Sequence, residues 1–115
     1  MSPVPGVSDQ EWNFISKQLG RILEPNSHVF IFGSRFRGNQ RRYSDLDLAI
    51  DQGVPIKSDQ LNALEECFAE SDLTYKIDLT DIQKIEKDFQ KHIRANSVDF
   101  ALPPRSHHYR AEARE

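Results

Sequence analysis

The apolar positions change period several times along the chain, and each change marks an element. Trp12, Ile15, Leu19 and Ile22 recur three or four apart, with Ser8 and Glu11 spaced as a capping box ahead of them. This predicts a helix over residues 9–23 that stops before Pro25, preceded by an N-terminal arm over 1–8. Residues 28–32 (HVFIF) are short, β-branched and aromatic, the composition of a buried strand, and Gly33-Ser34 ends it abruptly. Residues 44–51 (SDLDLAID) then alternate. Leu46, Leu48 and Ile50 face one way; Asp45, Asp47, Ala49 and Asp51 face the other. Ser58 is placed to cap a second helix carrying Leu61, Leu64 and Phe68. Residues 73–79 (LTYKIDL) alternate again, with Tyr75, Ile77 and Leu79 opposite Thr74, Lys76 and Asp78. Thr80 and Gln83 have capping-box spacing for a last helix built on Ile82, Ile85, Phe89 and Ile93.

The order α-β-β-α-β-α is that of an α/β (α+β) protein, a layered sandwich of helices on a small sheet. A chain of 115 residues supports one such core, placed over residues 9–102. Val98, Phe100 and Leu102 could add an edge strand that Pro103-Pro104 terminates. Residues 103–115 offer no apolar face to bury and are expected to form a mobile tail.

Composition narrows the function classes. With 37% apolar residues and a net charge of −3, the chain is neither a disordered tail nor a general nucleic-acid binder, so its basic residues matter locally. Cys67 is the lone cysteine and can form no internal disulfide, which points to a reducing, cytoplasmic setting. It reads as a buried thiol on a helix face beside Phe68. No apolar run approaches the eighteen or so residues that span a bilayer, and MSPVPGVSDQ lacks the regions of a signal peptide, so no membrane partner is expected.

The chemistry concentrates in residues 32–51, FGSRFRGNQRRYSDLDLAID, where arginines 35, 37, 41 and 42 precede a run of aspartates. Asp45-x-Asp47 alone is weak, since ten aspartates in the chain yield such a spacing about once by chance. Its context is stronger. Two carboxylates about 7 Å apart on one strand face repel unless a cation bridges them, and Mg²⁺ prefers such hard oxygens. Asp78 lies on the polar face of another strand. If the two strands are neighbours, three carboxylates converge as a two-metal phosphoryl or nucleotidyl transfer requires. Gly33 lets a phosphate approach the backbone, and Ser34 can open a short helical turn whose free N–H groups favour an anion. Gly33 and Gly38 have Walker A glycine spacing, but Asn39-Gln40 replaces the required Lys-Ser/Thr, so this is no P-loop. Arg37, Arg41 and Arg42 stay open between phosphate contact and a solvated or partner-facing loop, and Asp51 reads as a solvated strand end. His28, His92, His107 and His108 lack metal-ligand spacing with the acidic cluster.

Gly33-Ser34, ten residues, then Asp45-x-Asp47 resembles the signature of the DNA polymerase β-type nucleotidyltransferase superfamily. The fuller match, GSRFRG…YSDLDLAI followed by YKIDLTD, resembles its minimal nucleotidyltransferase (MNT) family over residues 10–95. The resemblance implies a polymerase β-like core with a small mixed β-sheet packed by helices. It implies that Asp45 and Asp47 hold two Mg²⁺ ions, and that Asp78 binds one of them and helps deprotonate the attacking hydroxyl. Gly33, Ser34 and Arg35 become the nucleotide-binding set, with ATP as substrate.

A nucleotidyltransferase must also position an acceptor. The chain is accounted for by the catalytic core, so a second subunit is expected to supply that site. MNT proteins resemble the antitoxin halves of two-component modules whose partners are helical HEPN-family proteins. The implied activity is transfer of AMP from ATP to a tyrosine of that toxin. HEPN toxins carry an R-x4–6-H motif on a helix. Arg21 and His28 have the spacing, but Pro25 and the helix-to-strand change between them make it coincidental. Two alternatives stand beside this: an antibiotic-type small-molecule nucleotidyltransferase with a separate helical substrate subunit, and a non-catalytic binding antitoxin. Direct nucleic-acid binding is not expected.

Overall fold

A computed structural model describes residues 2–37 and 44–102, with the side chains of Arg35 and Arg37 outside the described set. Helix α1 (Asp9–Ile22) begins with the expected capping box. Ser8 Oγ accepts from the Glu11 N–H at 3.1 Å, and Glu11 Oε1 accepts from the Ser8 N–H at 2.9 Å. Strand β1 (His28–Phe32) runs into a four-residue helix α2 (Ser34–Arg37), the short turn anticipated at Ser34. Strand β2 (Leu46–Asp51), helix α3 (Ser58–Ala69), strand β3 (Ile77–Asp81), helix α4 (Lys87–Ala95) and strand β4 (Val98–Ala101) complete the described chain.

The strands form one mixed sheet in the order β3-β2-β1-β4. β1 pairs antiparallel with both β2 and β4, so residues 98–101 do form an edge strand. β2 and β3 are parallel, and α3 supplies the crossover that parallel strands need. The pleat sorts side chains into two layers. Leu46, Leu48 and Ile50 join Val29, Ile31 and Ile77 on one face, packed against Trp12, Ile15 and Leu19 of α1 and Leu64 and Phe68 of α3. Each fully buried Leu or Ile there contributes about 1.5–3 kcal/mol. The N-terminal arm is docked into this core, with Val4 and Val7 buried, and Trp12 meets Phe100 edge-on at 5.2 Å. The opposite face carries a smaller cluster of Phe30, Ala49, Ile82 and Ile93.

Four boundaries depart from the sequence expectation. β2 begins at Leu46, not Ser44. Ser58 is the first residue of α3 rather than its cap; the Lys57 N–H is taken instead by Gln60 Oε1 at 2.9 Å. β3 occupies Ile77–Asp81 rather than 73–79, because its pairing with β2 starts where the Leu46 N–H meets the Lys76 carbonyl at 2.8 Å. Finally, the last helix is split. Thr80 stays in the strand opposite Ala49, and Asp81 caps a single 3-10 turn (Ile82–Lys84) through the Gln83 N–H at 3.0 Å. Ile82 and Ile93 are buried as expected, but Phe89 is 45% exposed. The expected tail, residues 103–115, lies outside the described residues.

Candidate active site

The site is assembled from the ends of three strands. In the parallel register Asp47 of β2 stands directly beside Asp78 of β3, about 4.8 Å away between strand axes, on the same face. Across the antiparallel pair Asp47 faces Phe32, the last residue of β1. The chain then turns through Gly33 at φ +80°, a left-handed backbone that a side chain would strain. A Cβ built on Gly33 would overlap the Asp47 carboxylate, so the glycine lets the β1–α2 turn lie against that carboxylate. Ser34 opens α2 beside it and is partly buried; Arg35 follows as the second residue of that turn.

Asp45 is exposed just ahead of β2, two residues from Asp47 and in phase with it. Among the described residues no group of three or more His, Cys, Asp or Glu gathers in metal-holding geometry. The structure therefore sets Asp47 and Asp78 side by side but makes no ready cluster of all three. This still suits Mg²⁺, which takes one or two carboxylates and completes its shell with water and substrate phosphates. The donors are hard oxygens, and Asp78, 41% exposed, already attracts a cation: Lys76 Nζ lies 3.5 Å from its Oδ1. That ion pair was legible only as a same-face K-x-D on a strand, and the sequence reading passed over it.

The far end of β2 is arranged differently. Asp51 is no solvated strand end: Arg94 Nη2 donates to its Oδ2 at 2.8 Å, and its Oδ1 accepts from the Gly53 N–H at 2.9 Å and Gln83 Nε2 at 3.0 Å. Burial would raise its pKa, but the Arg94 hydrogen bond, the Gly53 amide and Gln83 outweigh that and hold the carboxyl below its ordinary value. Arg94 also lies over the Phe30 ring, 5.0 Å from its centroid. Cys67 is half-buried, and its Sγ accepts from Arg21 Nη2 at 3.3 Å. His28 pairs with Asp99 at 2.9 Å, away from the acidic pair. Arg41, Arg42, His107 and His108 lie outside the described residues, as do the side chains of Arg35 and Arg37.

Beside Gly33 opens a groove of about 270 Å³, lined by Phe32, Gly33 and Phe36 on one side and by Phe89, His92 and Asn96 of the α4 region on the other. No sequence signal singled it out.

A carboxylate pair on adjacent parallel strands can share a divalent cation, and a glycine turn against one of them lets an anionic group approach the backbone. The sequence profile of the family described as "Polymerase beta, Nucleotidyltransferase" matches residues 17–100. The chain belongs to that family. It is a nucleotidyltransferase, and the mixed α/β fold is the polymerase β-like one, as expected. A Haemophilus influenzae protein named "Probable protein adenylyltransferase MntA" is 41% identical over 80 residues, 70% of this chain and 70% of that protein. This relative places the nucleotidyltransferase within the minimal branch that the motifs suggested. In fold the chain also resembles one chain of a crystal structure of a toxin–antitoxin with AMP-PNP, with TM-score 0.63 and 23% identity. That likeness covers 82% of this nucleotidyltransferase and 73% of the other chain.

Proposed function

We propose that this nucleotidyltransferase is a Mg²⁺-dependent protein adenylyltransferase, a cytoplasmic antitoxin that moves AMP from ATP onto a tyrosine of a helical HEPN-type toxin. The observation that carries this reading is the 41% identity, over 70% of each chain, to the protein named as a protein adenylyltransferase. The likeness to a chain of a toxin–antitoxin structure with AMP-PNP supports it.

The residues divide the work. Gly33 and Ser34, with Arg35, receive the β- and γ-phosphates at the turn that lies against Asp47. Asp45, Asp47 and Asp78 would hold Mg²⁺, which when bound offsets the charge of the triphosphate and of the departing pyrophosphate. The tyrosine oxygen attacks the α-phosphorus. A new P–O bond forms to tyrosine, the bond to the β-phosphate bridging oxygen breaks, and pyrophosphate leaves. Asp78, 41% exposed and paired with the exposed Lys76, takes the hydroxyl proton. Adding AMP to the toxin, and binding it, would each block its action.

The test is direct. The chain is incubated with its candidate partner, a helical protein carrying an R-x4–6-H motif, together with ATP and Mg²⁺, and the partner is weighed by mass spectrometry. The expected result is a gain of AMP that disappears with a chelator. A partner whose mass no nucleotide changes would overturn the proposal.

A further inference from the structure

The groove beside Gly33 stands apart from the acidic pair yet shares a wall with it. Gly33 lines the groove on one side and touches the space of the Asp47 carboxylate on the other. Its remaining walls come from two elements that are distant in sequence. Phe32 and Phe36 flank the β1–α2 turn, while Phe89, His92 and Asn96 come from α4 and the residue that caps it. Phe36 and Phe89 are 36% and 45% exposed, so this face keeps apolar rings in water. Phe89 and His92 lie nearly parallel, 20° apart, and present flat ring faces. Asn96 spends its Nδ2 on the His92 carbonyl at 2.8 Å, and its Oδ1 has no partner among the described residues.

We infer, on the nucleotidyltransferase reading above, that this groove seats the purine base of the nucleoside triphosphate. Size supports a moiety rather than a whole ligand or a helix. At about 270 Å³ the groove falls short of the 300–1,000 Å³ or so typical of clefts that enclose a complete small ligand. A triphosphate held against Asp47 and Gly33 leaves its base as the part still to be placed, and the groove begins at the same glycine. The ring faces supply stacking, which any base accepts. Asn96 Oδ1 supplies an acceptor for an exocyclic amino group such as adenine's, which pairs in this way with amide side chains. Phe36 and Phe89 are thereby assigned as base-binding residues, and His92 with them.

The experiment compares ATP with inorganic tripolyphosphate, the phosphate chain without its nucleoside, by calorimetric titration of the full chain in Mg²⁺. The wild type is expected to bind ATP roughly tenfold more tightly than tripolyphosphate, the worth of a stacked base. Phe89→Ala with His92→Ala removes exposed rings, so the fold should persist. It should bring ATP down to the level of tripolyphosphate and leave tripolyphosphate unchanged, while Phe89→Trp keeps the margin. An ATP margin that survives the double substitution would overturn the assignment. If that variant also ceased to bind its helical partner, the groove would be a partner surface instead. A wild type that binds neither ligand would overturn the nucleotide reading itself and the base site with it.

Discussion

Strand β2 carries an aspartate near each end of one face, and the two ends are built on opposite plans. At Asp51 a guanidinium, a backbone amide and a side-chain amide meet a side chain only 20% exposed. At Asp47 the next strand presents a second carboxylate, Asp78, which pairs with Lys76, a lysine 73% exposed. The 3-10 turn and α4 cover the Phe30–Ala49 part of the face and reach Asp51 through Gln83 and Arg94. The Asp78 end keeps its carboxylate open. One end of the strand is tied down by its partners, and the other sets two carboxylates side by side on adjacent strands, where like charges repel.

The largest effect should come from breaking the open end. Asp47→Asn keeps the shape and hydrogen-bonding reach of the side chain while removing one of two adjacent charges, so folding should change little. AMP transfer should fall roughly a thousandfold, the order of loss when one electrostatic contact to a transition state is removed. Transfer from labelled ATP and a thermal melt of the same sample measure both. A variant with wild-type transfer would remove Asp47 from the site; one that fails to fold would move it into the class of Asp51.

Gly33→Ala comes next, and it attacks the join between backbone and carboxylate. The added Cβ would overlap the Asp47 carboxylate at φ +80°, so the turn or the carboxylate must move. A shift of about 1 Å in a positioned group costs on the order of a hundredfold in rate. The left-handed backbone adds about 1–2 kcal/mol of lost stability. Unlike Asp47→Asn, this variant should lose on both measurements. Unchanged transfer would show that the turn need not lie against Asp47.

Much of this contrast was legible before any coordinates. Alternation assigned Asp45, Asp47, Ala49 and Asp51 to one face, and the observed burial of Leu46, Leu48 and Ile50 agrees. The Gly-Ser turn and Asp78's neighbourhood with β2 followed from the motif. Alternation does not say where a ladder begins. Residues 73–76 keep phase with β3 although only Ile77–Asp81 pair, and this moved the strand without changing which way Asp78 faces. The helix after it was misread for a similar reason. Ile82, Ile85, Phe89 and Ile93 have helical spacing, but Asp81 caps a separate turn and α4 restarts at Lys87. The fate of Asp51 was hidden because Gln83 and Arg94 reach it from 32 and 43 residues away. The groove was hidden because no local pattern joins Phe36 to Phe89.

The smallest effect lies at the closed end, where stability should fall while transfer does not. Asp51→Asn should leave transfer unchanged and cost about 1 kcal/mol of stability near neutral pH. That is the low side for a charged hydrogen bond, since Arg94 is 45% exposed. The folded-state pKa of Asp51 lies below its ordinary 3.8, so in the window between the two the unfolded chain binds the extra proton. The contribution is therefore complete above about pH 3.8 and is lost as pH falls through the lower folded value. Urea midpoints for wild type and Asp51→Asn should differ at pH 7 and converge on acidification below that window. If instead the two curves stayed parallel into acid, the carboxylate charge would contribute nothing. The closed end of β2 would then owe its stability to Arg94 packed over Phe30 rather than to the ion pair.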